Sequence, residues 1–463
     1  MARAKTRSKT VYVCTECGDS TPRWMGRCPA CSAWNTLVEE RVRSERGAPA
    51  QREMGARAAP PRALPLGEVR PEDARRLPTG IAELDRALGG GLVAGGVVLL
   101  GGDPGIGKST LLMQALASLA GAGHAALYVT GEESASQIAL RGERIGGEGM
   151  RDVRVLATTD LGDVEQALAE ARSDVVVVDS IQTVRSTELE SAAGSVSQLR
   201  EVAARLIEVA KRDGVAVFLI GHVTKEGALA GPKVLEHLVD TVLSFEGDRT
   251  HAFRMVRATK NRFGPAHEVG VFEMVREGLR EVPDPSALFL AERPTRSAGS
   301  LVVPTAEGSR PLLVEVQALV APAVYGSARR VANGVDANRL AILLAVLERK
   351  AEVHVLDRDV FVSITGGARV DERAVDLAVA LAVVSSLRER PVSPDLAVFG
   401  EVGLAGELRA VPRPGPRLAE AQKMGFTRVV LPKGNERRLL AEERAGLELL
   451  PAETLAQAIE IAF

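Results

Sequence analysis

The residues Gly102-Asp103-Pro104-Gly105-Ile106-Gly107-Lys108-Ser109 follow the pattern G-x-x-x-x-G-K-[ST], and the chemistry this pattern performs is the gripping of a triphosphate. Small residues let successive backbone N–H groups close around a β-phosphate at the positive end of a following helix. The lysine ammonium bridges the β- and γ-phosphates, and the serine hydroxyl ligates Mg²⁺. Gly102 to Ser109, with Thr110 next on the helix, are therefore the candidate nucleotide-binding residues. Asp179 ends the run Val175-Val-Val-Val-Asp179-Ser180 and is the expected second carboxylate, holding Mg²⁺ through water. A plain strand-end aspartate that caps a helix is the competing reading. Hydrolysis also needs a group to orient the attacking water. Glu132 and Glu133 lie where the strand after the P-loop helix should end, and adjacent carboxylates on an extended chain point to opposite sides. Glu132 is the favoured one; the alternative is that both only serve the positive end of the next helix.

A second constellation is Cys14-x₂-Cys17-x₁₀-Cys28-x₂-Cys31, which holds every cysteine of the chain. Two CxxC turns at this spacing can present four thiolates tetrahedrally to one Zn²⁺, and a site with all four positions filled is structural. A redox dithiol pair competes less well, since a single CxxC beside a βαβ pattern would suit that role. Both tryptophans, Trp24 and Trp34, fall in or beside this module with Arg23 and Arg27. In so small a module they are expected to form its core, ahead of stacking on bases or on a protein partner. Further along, Lys260 and Arg262 of Lys260-Asn261-Arg262-Phe263-Gly264 stand two apart after a strand-like run, 252–259. On an extended chain both point to one side and can reach one polyphosphate; a DNA contact within the chain or a solvated basic turn competes. His222 follows the apolar run 215–220. A polar residue there can touch a γ-phosphate, although a hydrogen-bonded structural histidine reads the same way.

These residues need elements to position them. From 77 to about 282, apolar runs at 97–100, 125–130, 153–156, 175–178, 215–220 and 241–245 alternate with helical patterns at 109–120, 134–145, 161–172 and 196–212. That alternation predicts an α/β fold with a parallel sheet covered on both faces. The domains expected are a Cys₄ zinc finger at 11–37, a flexible linker rich in Arg, Ala, Pro and Gly at 38–65, an ATPase-type domain at 66–285 and a last α/β domain at 297–463. The last block has strands at 312–319, 360–364, 396–399 and 428–431 and a long helix at 372–387.

With 463 residues, 46% of them hydrophobic, the chain can bury more than one core, which excludes a peptide or a mostly disordered protein. The 58 basic and 60 acidic residues nearly cancel, so a polyanion must be met by a local patch. No apolar run approaches the length of a membrane span, and no signal-peptide pattern follows Met1. A cytoplasmic protein is expected.

The stretch 77–110, the Gly131-Glu132-Glu133-Ser134 strand end and the VVVVDS strand resemble the ATPase core of the RecA family. Together with the cysteine module, KNRFG and the C-terminal block, the order is similar to that of the RadA (Sms) family of DNA-repair proteins. The resemblance implies a RecA-like, P-loop, DNA-dependent and helicase-like ATPase that uses ATP, Mg²⁺ and Zn²⁺. It implies single-stranded and branched DNA as partners, branch migration of recombination intermediates, a homo-hexameric ring, and a recombinase or replication partner reached through the finger. In RecA-like proteins the loop after the His222 strand meets DNA, so His222 would sense the nucleotide and Lys225 and Lys233 would contact phosphates. The loop 186–197 occupies a similar place with less weight. Lys260 and Arg262 would act on a neighbouring subunit's ATP. The block from about 310 resembles the protease domain of Lon, but Ala374 stands where its serine belongs and Gly415 near its lysine. Arg413 and Arg417 nearby are too basic to replace that lysine. An oligomerisation scaffold with a basic DNA-facing surface is expected there. An ATP-dependent Lon-like protease and a nucleotide-gated interaction protein are the competing functions.

Overall fold

The computed structural model describes residues 8–15, 18–43, 65, 76–222, 234–247, 253–294, 296–323, 328–367, 369–444 and 446–463. Cys17, Lys225 and Lys233 lie outside the described residues, as does most of the expected linker. The chain divides into two compact units. One comprises Met1–Glu246, Val256–Ala266 and Met274–Arg280; the other comprises Gly247–Met255, His267–Glu273 and Glu281–Phe463.

At the N-terminus, Ser8–Cys14 pairs antiparallel with Ser20–Thr21 on one side and Leu37–Arg43 on the other. Cys14, Cys28 and Leu37 form the buried core, with Tyr12 packed on it. Trp24 and Trp34 do not belong to it: they are 56% and 70% exposed. The expectation that the indoles fill this core is therefore corrected. A module this small closes around its thiols and a few aliphatic side chains, which leaves no volume for an indole.

The nucleotide domain is built on strands that run in the order Thr241–Glu246, Val97–Gly102, Ala216–His222, Val175–Asp179, Ala126–Thr130 and Arg154–Ala157. The six strands from Thr241–Glu246 to Arg154–Ala157 are mutually parallel. The central ones are buried along their length, as valine-rich strands covered on both faces must be. Arg154–Ala157 departs from that rule: it is the edge strand and is mostly exposed. Helices Leu161–Ala171 and Val196–Asp213 bury Leu161, Val164, Leu168, Leu199, Val202 and Leu206 in one cluster with Val97, Leu99, Val176 and Val178.

The second unit carries a mixed sheet in the order Arg330–Asn333, Arg358–Ile364, Arg310–Pro322, Ser300–Glu307, Leu396–Val398, Arg428–Pro432 and Glu448–Ala452. Its central helix, Asp376–Leu387, is buried from Asp376 to Ser385, as a helix apolar all round must be. The expected helix from 372 begins later, because Arg373–Val375 forms a 3₁₀ turn first. No helix among the described residues is long and apolar enough to cross a membrane.

Candidate active site: the phosphate loop and its carboxylates

The parallel strands bring the candidate residues to one edge. Thr130 stands opposite Asp179 in the pairing of Ala126–Thr130 with Val175–Asp179, and His222 stands opposite Gly102 in that of Ala216–His222 with Val97–Gly102. Side chains at carboxyl ends of parallel strands gather where a ligand of an open α/β sheet binds. From Gly102 the chain turns into helix Lys108–Gly121, whose N-cap, Gly107, has φ 117° and no side-chain cap. The first N–H groups of that helix are thus left for an anion. A Cβ on Gly102, at φ 157°, would come within 2.6 Å of the Phe245 carbonyl oxygen, so the close approach requires glycine. Asp103, Pro104 and Gly105 are exposed and Ile106 is buried at the loop's base; Ser109 and Thr110 follow in the first turn, half-buried.

Lys108 is only 4% exposed. Its ammonium donates to the carbonyls of Gly102 at 2.7 Å and Asp103 at 2.9 Å. Burial holds its pKa below the usual lysine range, against the pull of Asp179, Asp103 and Glu132. Asp179 is buried and accepts a hydrogen bond from the Tyr128 hydroxyl. Burial first, and Asp179 next, keep that phenol protonated, while Ser109 is hydrogen-bonded to it as well. Tyr128 therefore joins the helix-start serine to the strand-end carboxylate.

The two adjacent glutamates, in the bend after the strand ends at Thr130, turn to different partners. Glu132 accepts from the Ser180 hydroxyl at 2.5 Å and lies 3.2 Å from His222 Nε2. Burial would raise its pKa, but Ser180, His222 and Lys108 together hold it below the usual glutamate range. Glu133 faces elsewhere, paired with Arg141 at 2.5 Å, while its backbone N–H donates to Thr130 Oγ1. Lys108, Asp179, Glu132 and His222 thus share one electrostatic cluster. Tyr128 and Ser180 were missed in the sequence; the only signal was a phenol in an otherwise aliphatic strand and a hydroxyl directly after Asp179.

Lys260 and Arg262 are placed apart from that cluster. Lys260 lies within strand Phe253–Asn261, and its ammonium donates to the carbonyls of Glu236 at 2.7 Å, His237 at 3.3 Å and Val239 at 2.8 Å. Burial and the neighbouring Arg262 lower its pKa. Arg262 pairs with Asp240 at 3.1 Å, and Asp240 also accepts from the Val97 backbone N–H at 3.1 Å. Both cations therefore hold the segment that follows residues 223–233. The loop 186–197 is pinned from within: Gln198, fully buried, donates to the carbonyls of Ser186, Leu189 and Ser191 and accepts from the Ser186 N–H.

In the N-terminal module the donor atoms of Cys14, Cys28 and Cys31 lie within 4.8 Å of one another. Backbone N–H groups of Gly18 and Ser32 donate to Cys14 and Cys28 carbonyls at 2.9 and 3.0 Å, forming two matching turns. Three converging sulfurs on paired turns fit Zn²⁺, with Cys17 the fourth donor by sequence.

In the C-terminal unit Ala374 is buried, and Gly415 lies in the first turn of the helix Pro414–Lys423. A Cβ on Gly415 would meet Glu443 Oε1 at 2.6 Å, so a longer side chain there would have to displace that glutamate. Arg417, fully buried, donates to Glu372 at 2.8 and 2.5 Å and to the carbonyls of Pro304 and Pro412. A guanidinium locked in an ion pair cannot deprotonate a nucleophile. Arg413 is no substitute, since it donates to the Ser309 carbonyl at 2.8 Å.

A glycine-lined loop feeding an uncapped helix, a buried lysine and a buried aspartate at the end of the next strand but one define a RecA-like P-loop nucleotide-binding protein. The comparisons agree. A family profile described as "AAA domain" matches residues 61–228, "Rubredoxin metal binding domain" matches 12–39, and "Subunit ChlI of Mg-chelatase" matches 314–435. DNA repair protein RadA of Pseudomonas aeruginosa is 51% identical, with 99% of each chain covered. That of Aquifex aeolicus is 48% identical over 99% of this chain and 100% of its own, and that of Bacillus subtilis 47% over 93% and 94%. The chain belongs to the RadA family of DNA repair proteins. It is a DNA-repair ATPase with an N-terminal zinc ribbon and a C-terminal α/β domain.

Proposed function

We propose that this ATPase is DNA-dependent: it binds single-stranded and branched DNA and moves along it to promote branch migration of recombination intermediates, as a homo-hexameric ring. The observation that carries this reading is the link from Lys108 to Glu132 to His222. His222 directly precedes the glycine-rich stretch 223–233 that holds Lys225 and Lys233. Here Ser109 and Asp179 would hold Mg²⁺, which neutralises developing phosphate charge when bound. Lys108 would bridge the phosphates and Glu132 orient the water. Loss of the γ-phosphate would change the hydrogen bonding of Glu132 and His222, and through them the grip of the loop on DNA. Lys260 and Arg262 brace the far end of the same loop, and a neighbour's triphosphate would compete for them with Asp240 and the 236–239 carbonyls. The Lon-like protease reading has no dyad to use.

The test is ATP hydrolysis measured against single-stranded, duplex and forked DNA, with the assembly weighed in the presence of nucleotide. Stimulation by single-stranded or forked DNA, lost as salt rises, is expected, together with a six-subunit mass. Lys108→Ala should abolish turnover. A rate indifferent to every DNA would leave a nucleotide-gated interaction protein in its place. Lys260→Ala chains mixed with Lys108→Ala chains should regain activity if Lys260 acts across subunits.

A further inference from the structure

We propose that the zinc ribbon carries a base-stacking site for single-stranded nucleic acid, made by Trp24 and Trp34 on either side of Gly26. The proposal rests on the DNA-acting reading above and assigns part of the grip to a second place in the chain. Both indoles are more than half exposed, and Met25 beside them is 40% exposed. The ring edges of Trp24 and Trp34 each come within 3.9 Å of the point that a Cβ on Gly26 would occupy. A methyl group at that point would be in van der Waals contact with both rings, so glycine keeps a third side chain away from the two indole edges. That arrangement is fixed by backbone: Asn35 N–H donates to the Gly26 carbonyl at 2.8 Å, and Arg27 bridges to Trp34.

The chemistry around the rings selects the partner. The Arg27 guanidinium lies 5.8 Å from the Trp34 ring centroid while its Nε donates to the Ser32 carbonyl. Arg23 is exposed next to Trp24. Residues 21–34 contain these two arginines and no carboxylate. The positive charge is local to that segment, since residues 8–43 as a whole hold 5 basic and 4 acidic residues. Two exposed indoles flanked by arginines match a strand whose bases offer π-faces and whose backbone is anionic, and such stacking tolerates any sequence.

Because Trp24 and Trp34 are the only 2 tryptophans in the chain, tryptophan emission of the full-length protein reports on this site alone. The experiment follows emission and the anisotropy of a labelled oligothymidylate in one titration. Quenching that saturates together with anisotropy is expected. The double variant Trp24→Ala, Trp34→Ala should bind about ten-fold or more weakly, and Trp24→Phe, Trp34→Phe should recover most of that loss. Gly26→Val, which sets a third side chain against the two indole edges, should weaken binding while zinc content and basal hydrolysis stay as in the parent. Binding with unchanged emission and full affinity in the double variant would overturn the stacking site and leave the DNA-dependent ATPase reading standing. Emission that responds to an added protein and never to the oligonucleotide would also overturn it. Absence of both oligonucleotide binding and DNA-stimulated hydrolysis would remove the two together.

Discussion

At the residue scale the decisive relation is between Glu132 and the three groups that keep it ionised. In the proposed role the carboxylate orients water only when deprotonated, and its pKa lies below the ordinary range because Ser180 donates to it and His222 and Lys108 stand near. A group with a depressed pKa keeps its charge as pH falls and loses it only below the usual carboxylate range. Ser180→Ala removes one donor, so the Glu132 pKa must rise. The acid limb of the kcat/KM profile is then expected to move to higher pH, with a rate at neutral pH lower by roughly 10-fold through loss of positioning. An acid limb that stays in place in the variant would show that Glu132 is not the group read by the profile. Glu133→Gln should leave the limb where it is, since Glu133 faces Arg141.

At the scale of elements, the start of helix Pro414–Lys423 is joined to strand Ser300–Glu307 by one buried cation. Arg417 satisfies the Pro304 and Pro412 carbonyls and both oxygens of Glu372. Removing one member of a buried pair leaves the other without compensation, at a cost of about 3–5 kcal/mol. Arg417→Ala is expected to lower stability by that amount in urea unfolding. Arg417→Met combined with Glu372→Leu should recover part of that loss, because the desolvation cost of both charges goes with their attraction, while the Pro304 and Pro412 carbonyls and the Ala306 N–H still lose a partner. A loss below about 1 kcal/mol for Arg417→Ala would deny the pair its structural role. Strand Ser300–Glu307 was not foreseen in the sequence, since Pro304 argues against a strand with neighbours on both sides. The structure accommodates it: the strand pairs along its length with Arg310–Pro322 but meets Leu396–Val398 only at Val302. The Pro304 carbonyl is instead used by Arg417.

At the scale of the whole molecule, the zinc ribbon and the nucleotide domain have separate cores: Cys14, Cys28 and Leu37 in the one, the Val/Leu cluster of the sheet in the other. A core of three side chains cannot hold a fold without its metal. Stripping zinc with a chelator, then restoring Mg²⁺, is expected to expose residues 8–43 to proteolysis while basal ATP hydrolysis persists. Zinc analysis before treatment should give about one ion per chain. Protection of that segment after complete removal of zinc would show that its strands stand without the metal.

The sequence by itself determined the phosphate loop, the Asp179 strand end, the cysteine knuckles and the α/β order of elements. Each is a local pattern whose spacing directly encodes backbone geometry: a glycine turn into a helix, a period-free valine strand, two CxxC turns. Only the tertiary structure decided between Glu132 and Glu133 as the carboxylate that meets Lys108. It also put Tyr128 between Ser109 and Asp179, turned Lys260 and Arg262 toward Glu236–Asp240, and left Trp24 and Trp34 outside the ribbon core. These outcomes depend on which strands become neighbours and on how much volume a small core offers. Such long-range quantities are not written in any short run of residues.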